Sequence, residues 1–174
     1  MKTALSALTS SAVYALLIAS TLVACSSSSS KASTPSGCVP SACSLVRDTE
    51  VSAAFGGTFS GTESDLTANL VQCNYDSPSA AAVDIVVTCP GVTVTDTQLK
   101  TDLSDATSVT AVSGLGSAAE FGAPADGTQI GAAYKLEVAD GTRELSINYF
   151  PNGKSSVDPL TAAKAVATAA LGRM

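Results

Sequence analysis

Histidine does not occur anywhere in this chain, and tryptophan is missing as well. Without imidazole the commonest general base and the commonest transition-metal ligand are gone, so Ser-His-Asp and Cys-His catalysis are excluded outright. Charge is also scarce, at 14% of residues, and positive charge scarcer still. Nine Lys and Arg stand against fifteen Asp and Glu in 174 residues, for a net charge of −6. An acidic chain repels phosphate backbones and anionic head groups, so nucleic acid is not an expected partner. Aromatic residues make up 5% of the chain, although 45% is hydrophobic. The apolar count leans on Ala and Val, so the core is expected to be built from small and β-branched side chains. No apolar run approaches the ~20 residues that a membrane-spanning helix needs.

What is present at the start is more specific. Met1-Lys2 is followed by an apolar segment, Ala12 to Ala24, that ends in Leu22-Val23-Ala24-Cys25. A short basic start, an apolar stretch of signal length and a small-residue ending are the parts of an export signal. Leu22-Val23-Ala24-Cys25 resembles the lipobox of bacterial lipoproteins. That resemblance implies cleavage before Cys25 and attachment of lipid to the Cys25 sulfur. The expected organisation is a signal peptide over 1–24, a lipidated cysteine with a flexible tether over 25–37, and one disulfide-linked domain over 38–174. Loss of Lys2 with the signal makes the remaining chain one unit more negative. Ser26 to Gly37 holds only small polar residues, Pro, Ala and one Lys. Nothing there offsets the entropy of ordering, so it should behave as a coil with a reach of about 20 Å. The expected localisation is extracytoplasmic, with the membrane as a partner through lipid on Cys25.

Four cysteines follow Cys25: Cys38, Cys43, Cys73 and Cys89. An even number in an exported chain reads as two disulfides, with three pairings open. A four-thiolate metal site is a poor alternative, because no C-x-x-C pair exists. No cofactor and no metal is expected.

The domain reads as α+β: an antiparallel sheet of about four to six strands, in two hairpins, with two or three short helices packed on it. Asp48-Thr49 is a candidate N-cap for a short helix stopped by Gly56-Gly57. The polar stretch Thr58 to Asn69 reads as loop. Val71, Cys73 and Tyr75 alternate with Gln72 and Asn74. After Ser77-Pro78-Ser79, Val83, Ile85, Val87 and Cys89 share a face, which makes the first hairpin. Thr95-x-x-Gln98 has the spacing of a capping box, opening a helix over 95–106 with Leu99, Leu103 and Ala106 inward. Val109 to Val112 reads as a strand. Ala132 to Ala139 and Arg143 to Phe150 form the second hairpin around Asp140-Gly141. A turn at those two residues sets Leu136 opposite Leu145, Tyr134 opposite Ile147 and Glu137 opposite Glu144. Asp158-Pro159 opens an alanine-rich helix that Gly172 stops.

Two motifs invite a chemical reading. Gly114-Leu115-Gly116-Ser117-Ala118-Ala119 has the letters of the dinucleotide fingerprint, but Gly122 and Pro124 arrive too soon for the helix that the fingerprint requires. Turn glycines are the better account. Lys135, Lys154, Lys164, Asp102 and Asp105 supply the charges for a Ser–Lys or carboxylate-pair enzyme, yet none sits in a catalytic motif.

Three further elements carry a resemblance: Cys43-Ser44-Leu45-Val46 before an acidic short helix, Cys73-Asn74-Tyr75, and Val112-Ser113-Gly114-Leu115-Gly116 with Ala118. Together with the terminal helix they are similar to a set of actinobacterial lipoproteins of unknown function. That likeness implies a Cys43–Cys73 disulfide and leaves Cys38 and Cys89 to each other; these last two depart from the family's usual two-cysteine pattern. It brings no catalytic residues. The expected function is therefore a membrane-anchored envelope lipoprotein acting as a non-enzymatic binding or accessory module, with an envelope protein or a small ligand as its unidentified partner. A small-ligand carrier is the alternative, and a His-independent envelope enzyme the next.

Overall fold

Among the described residues, seven strands pair into one antiparallel sheet in the order β1-β2-β3-β7-β6-β5-β4. The computed structural model describes residues 41–67, 69–125, 131–153 and 155–174, which belong to one compact unit. The signal segment, Cys25, the tether, Cys38 and Lys154 lie outside the described residues. Chain order is α1 (Asp48–Phe55), β1 (Ser60–Thr67), β2 (Leu70–Asp76), β3 (Ala82–Thr88), α2 (Asp96–Asp102), β4 (Ser108–Ala111), β5 (Ala118–Ala123), β6 (Tyr134–Asp140), β7 (Arg143–Phe150) and α3 (Pro159–Leu171). The expected α+β class is observed. The sheet is larger than the expected four to six strands.

The chain forms one meander, β1-β2-β3, then crosses to the far edge and returns as a second meander, β4-β5-β6-β7. The two join where β3 pairs with β7. Val71, Cys73, Tyr75, Val83, Ile85, Val87, Leu136, Val138, Leu145, Ile147 and Tyr149 are all buried on one face, called here the inner face. They pack with Ala162, Ala163, Val166, Ala167 and Ala170 of α3 and with Val51 and Phe55 of α1. Alanines let α3 approach the sheet closely. Its N-cap is Asp158, whose carboxylate accepts from Thr161 N at 2.7 Å.

Among the described residues, a helix covers the outer face at one end. There α2 packs on β5 and β6, with Leu99 and Val94 against Ala139 and Ala118. The helix end sits so close that a Cβ on Gly122 would lie 2.9 Å from Leu103 Cδ2. Among the described residues, the outer-face side chains of β1, β2, β3 and β7 are exposed or half-buried, and Glu144 of β7 meets the end of α2 through Asp102.

Several expectations change. The polar stretch read as loop contains β1. Its inner positions are Gly61 and Glu63, opposite Tyr75 and Cys73, so no apolar alternation marks it. The strand β5 was hidden behind turn glycines, because burial on both faces erases a period of two. The Gly114–Gly116 segment turns between β4 and β5, and no helix follows it. Arg47, not Asp48 or Thr49, is the N-cap of α1, with Glu50 accepting from Arg47 N at 2.8 Å. Helix α2 ends at Asp102 rather than 106. Thr95 caps it by accepting from Gln98 N, but the Gln98 side chain donates to Asp102 instead of completing the box. The second hairpin turns at Gly141 and Thr142, with Asp140 opposite Arg143, a pair tied by an ion contact of 2.6 Å. The register therefore moves by two. Leu136 faces Ile147, Tyr134 faces Tyr149, and Glu137 faces Ser146 rather than Glu144. A shift of two leaves every side chain on its expected face.

Candidate functional site

Two places in the fold bring chemistry-bearing side chains together. The first is a strap at the N-terminal end. Cys43 is bonded to Cys73 of β2, as the family resemblance implies. Beside them Glu63 accepts from Ser41 Oγ at 2.9 Å, Ala42 N at 2.7 Å and Cys43 N at 2.8 Å. Among the described residues, Cys43, Glu63 and Cys73 are the only three potential metal-ligating groups to converge. Both sulfurs are spent on each other and the carboxylate is saturated by the strap. The arrangement is a fastening, not a metal centre. Tyr75 adds to it by donating its hydroxyl to Val46 O. Burial, with Asp48, Glu63 and Glu50 nearby, pushes that phenol up to about 12. Cys89, just beyond β3, is itself disulfide-bonded; its expected partner Cys38 lies outside the described residues.

The second is the margin of α2 on the outer face. Lys135 and Glu137 of β6 and Glu144, Ser146 and Asn148 of β7 point to this side, and Glu120 of β5 is opposite Glu137. Only 4% of Glu137 is exposed, and Ser146 donates a hydrogen bond to its carboxyl. Burial pushes Glu137 up to about 7. Glu144 also rises to about 7, through burial first, then its hydrogen bond with Asp102, then the charges of Asp102 and Glu137. Glu120 is 1% exposed. Lys100 Nζ lies 3.3 Å from its Oε1, an ion contact without hydrogen-bond alignment, and that oxygen accepts no hydrogen bond. Lys100 also holds Asp96 at 2.7 Å, which lowers the Asp96 carboxyl. Two carboxyls that titrate near neutrality can hold or release protons at working pH.

Beside this cluster lies a cleft of about 560 Å³, lined by Asp105, Lys135, Asn148 and Phe150 with Thr107 and Pro124. Lys135 and Asp105, both in its lining, pair at 2.7 Å. The two aspartates singled out from sequence thus serve different partners: Asp105 pairs with Lys135, while Asp102 meets Glu144. Lys164 is on α3, away from both. Glu120, Glu137, Glu144 and Ser146 were not singled out as a site. Alternation marks Glu137 and Glu144 as outward-facing, which normally means solvent, and nothing local reveals that α2 covers that end.

Among the described residues, no helix is long and apolar enough to cross a membrane. No protein-family model, curated protein or solved structure matches this chain.

Proposed function

We propose that this chain is an envelope lipoprotein, held at the cell membrane through lipid on Cys25, whose domain is a non-enzymatic binding or accessory module. The observation that carries the reading is the Cys43–Cys73 bridge. Disulfides of this kind persist in oxidising, extracytoplasmic compartments. The bridge is also the one that the likeness to actinobacterial lipoproteins implies. It fastens the domain to the sheet a few residues after the tether ends, where an anchored domain takes up the pull of its anchor.

The binding surface in this reading is the open outer face. Thr62, Asn74, Asp84 and Asn148 follow one another across β1, β2, β3 and β7, with Ser64, Gln72, Val86 and Ser146 in the next row. Asp84 is half-buried there and its carboxyl rises through burial, then through Asp76. Planar amides and carboxylates fixed on strands suit hydrogen bonding to an extended or polar partner.

Fractionation tests the anchor. Cys25→Ser should move the protein from the membrane to the soluble fraction, and a mutant that stayed with the membrane would refute lipid anchoring. Capture from detergent-solubilised envelope tests the face. A partner retained by the native chain should be lost with Asn74→Arg plus Asn148→Arg, while loss only on unfolding would refute the surface. A small-ligand carrier is the second reading, favoured by the cleft at Lys135, Asn148 and Phe150. Mass spectrometry of ligand extracted from the native protein, with Phe150→Ala as control, separates the two.

A further inference from the structure

The interface beneath α2 has too many acids for its cations. Three carboxyl groups come from the sheet: Glu120 of β5, Glu137 of β6 and Glu144 of β7. Three more come from the covering segment: Asp96 and Asp102 on α2 and Asp105 just after it. Facing them, among the described residues, are Lys100 of α2 and Lys135 of β6, with Ser146, Gln98 and Thr88 as neutral neighbours. Lys100 is taken by Asp96 and Glu120, and Lys135 by Asp105. Among the described residues, Glu137, Glu144 and Asp102 thus have no ion pair, and Asp102 acts on both glutamates. The apolar grip opposing this comes from three side chains: Val94 and Leu99 against Ala139 and Ala118, with Leu103 over Gly122. The segment is also tied at both ends, by Val94 N to Gly141 O and by Thr107 N to Ala123 O, at 3.0 and 2.9 Å. Those ties are natural hinge points for a seven-residue helix between them.

We propose that α2 is a proton-controlled cover: it stays seated on the β5–β6–β7 end of the sheet while Glu137 and Glu144 hold protons, and lifts as they ionise. Lifting extends the open polar face from β7 to β5 and uncovers Glu137 and Glu120. The direction follows from the burial. A carboxyl desolvated beneath α2 keeps its proton to about pH 7, as Glu137 does, whereas the same carboxyl in water loses it near pH 4.3. The seated state thus binds more protons, and rising pH favours release. This device does not rest on lipid anchoring.

Amide hydrogen exchange on the whole exported domain tests it, corrected for intrinsic rates, at about pH 5.5 and about pH 8.5. The amides of Leu99 and Leu103, bonded to Thr95 O and Leu99 O, should lose protection by at least about tenfold at the higher pH, a change of one pKa unit or more in linkage. Ile85 and Ile147, at the sheet centre, should stay far better protected than Leu99 and Leu103 at both pH values, because they open only with the whole domain. Glu137→Gln with Glu144→Gln should abolish the difference. Unchanged protection at Leu99 and Leu103, protection there equal to that of Ile85 and Ile147 at both pH values, or loss that persists in a folded double variant would each overturn the proposal. The wild-type comparison decides by itself if the double variant does not fold.

Discussion

Arg173, next to the last residue, holds Glu50 of α1 with Nη2 2.6 Å from Oε1, and the same guanidinium donates to Leu45 O at 2.6 Å. The contact joins the two ends of the domain on the inner-face side. It holds Glu50 down at about 2, through the Arg173 hydrogen bond first and the Arg47 backbone amide second. A depressed carboxyl stabilises the fold above its unfolded value, near 4.3, and loses that effect as pH falls toward 2. Acid unfolding of Glu50→Gln should therefore show a smaller pH dependence between about pH 4 and pH 2 than the native chain. The pair is exposed, so the change should shrink in high salt.

Opening the strap should cost more. The Cys43–Cys73 bridge closes a loop with a sequence separation of 30, worth about 3–4 kcal/mol in the chain-entropy account. Cys43→Ser with Cys73→Ser should lower the denaturation free energy by about that amount, measured in urea with unchanged spectra at zero denaturant. Glu63→Gln should weaken the same strap by a smaller step, because one of the two oxygens that accept from Ser41, Ala42 and Cys43 becomes an amide nitrogen, which cannot accept.

Stability should fall as pH rises across neutrality. Glu137 is raised to about 7 in the fold and returns to about 4.3 when unfolded. Between these values the native chain holds a proton that the unfolded chain has lost. The contribution is therefore intact below about pH 4.3 and is lost as pH climbs through about 7. Glu137→Gln should raise stability at pH 8 by roughly 1–3 kcal/mol and leave it little changed at pH 4. Denaturant midpoints across that range check it.

Gly114 and Gly116 should respond differently. Both have positive φ, but a Cβ on Gly116 would lie 2.1 Å from Ala139 O, while one on Gly114 would meet nothing within 4 Å. Gly116→Ala should destabilise by about 2 kcal/mol or more, since backbone must move as well as twist. Gly114→Ala should cost clearly less. Melting of the two variants side by side gives the comparison.

Much of the fold could be read locally. The alternation of Val83, Ile85 and Val87, and of Leu145, Ile147 and Tyr149, gave the inner face correctly, and Asp158-Pro159 gave the start of α3. A turn at Asp140-Gly141 would put the second hairpin two residues out of its actual register. The ion pair between Asp140 and Arg143 closes the strands outside Gly141 and Thr142 instead. The strand β1 was missed because its inner residues answer to the strap and the Tyr75 ring. Gly61 leaves room for that ring, where a Cβ would lie 2.8 Å from Cε1.

The sequence alone determined the faces of β2, β3, β6 and β7, the caps of α2 and α3 and the acidic balance, because these follow from neighbours two to four residues apart. The tertiary structure decided that β3 pairs with β7 and that the crossing segment lays α2 over one end of the outer face. That placement turns Glu137 and Glu144 from ordinary outward acids into desolvated groups that titrate near neutrality. Their environment is set by residues on α2, β5 and β7 that no local pattern brings together, and desolvation depends on what covers a side chain, not on which way it points.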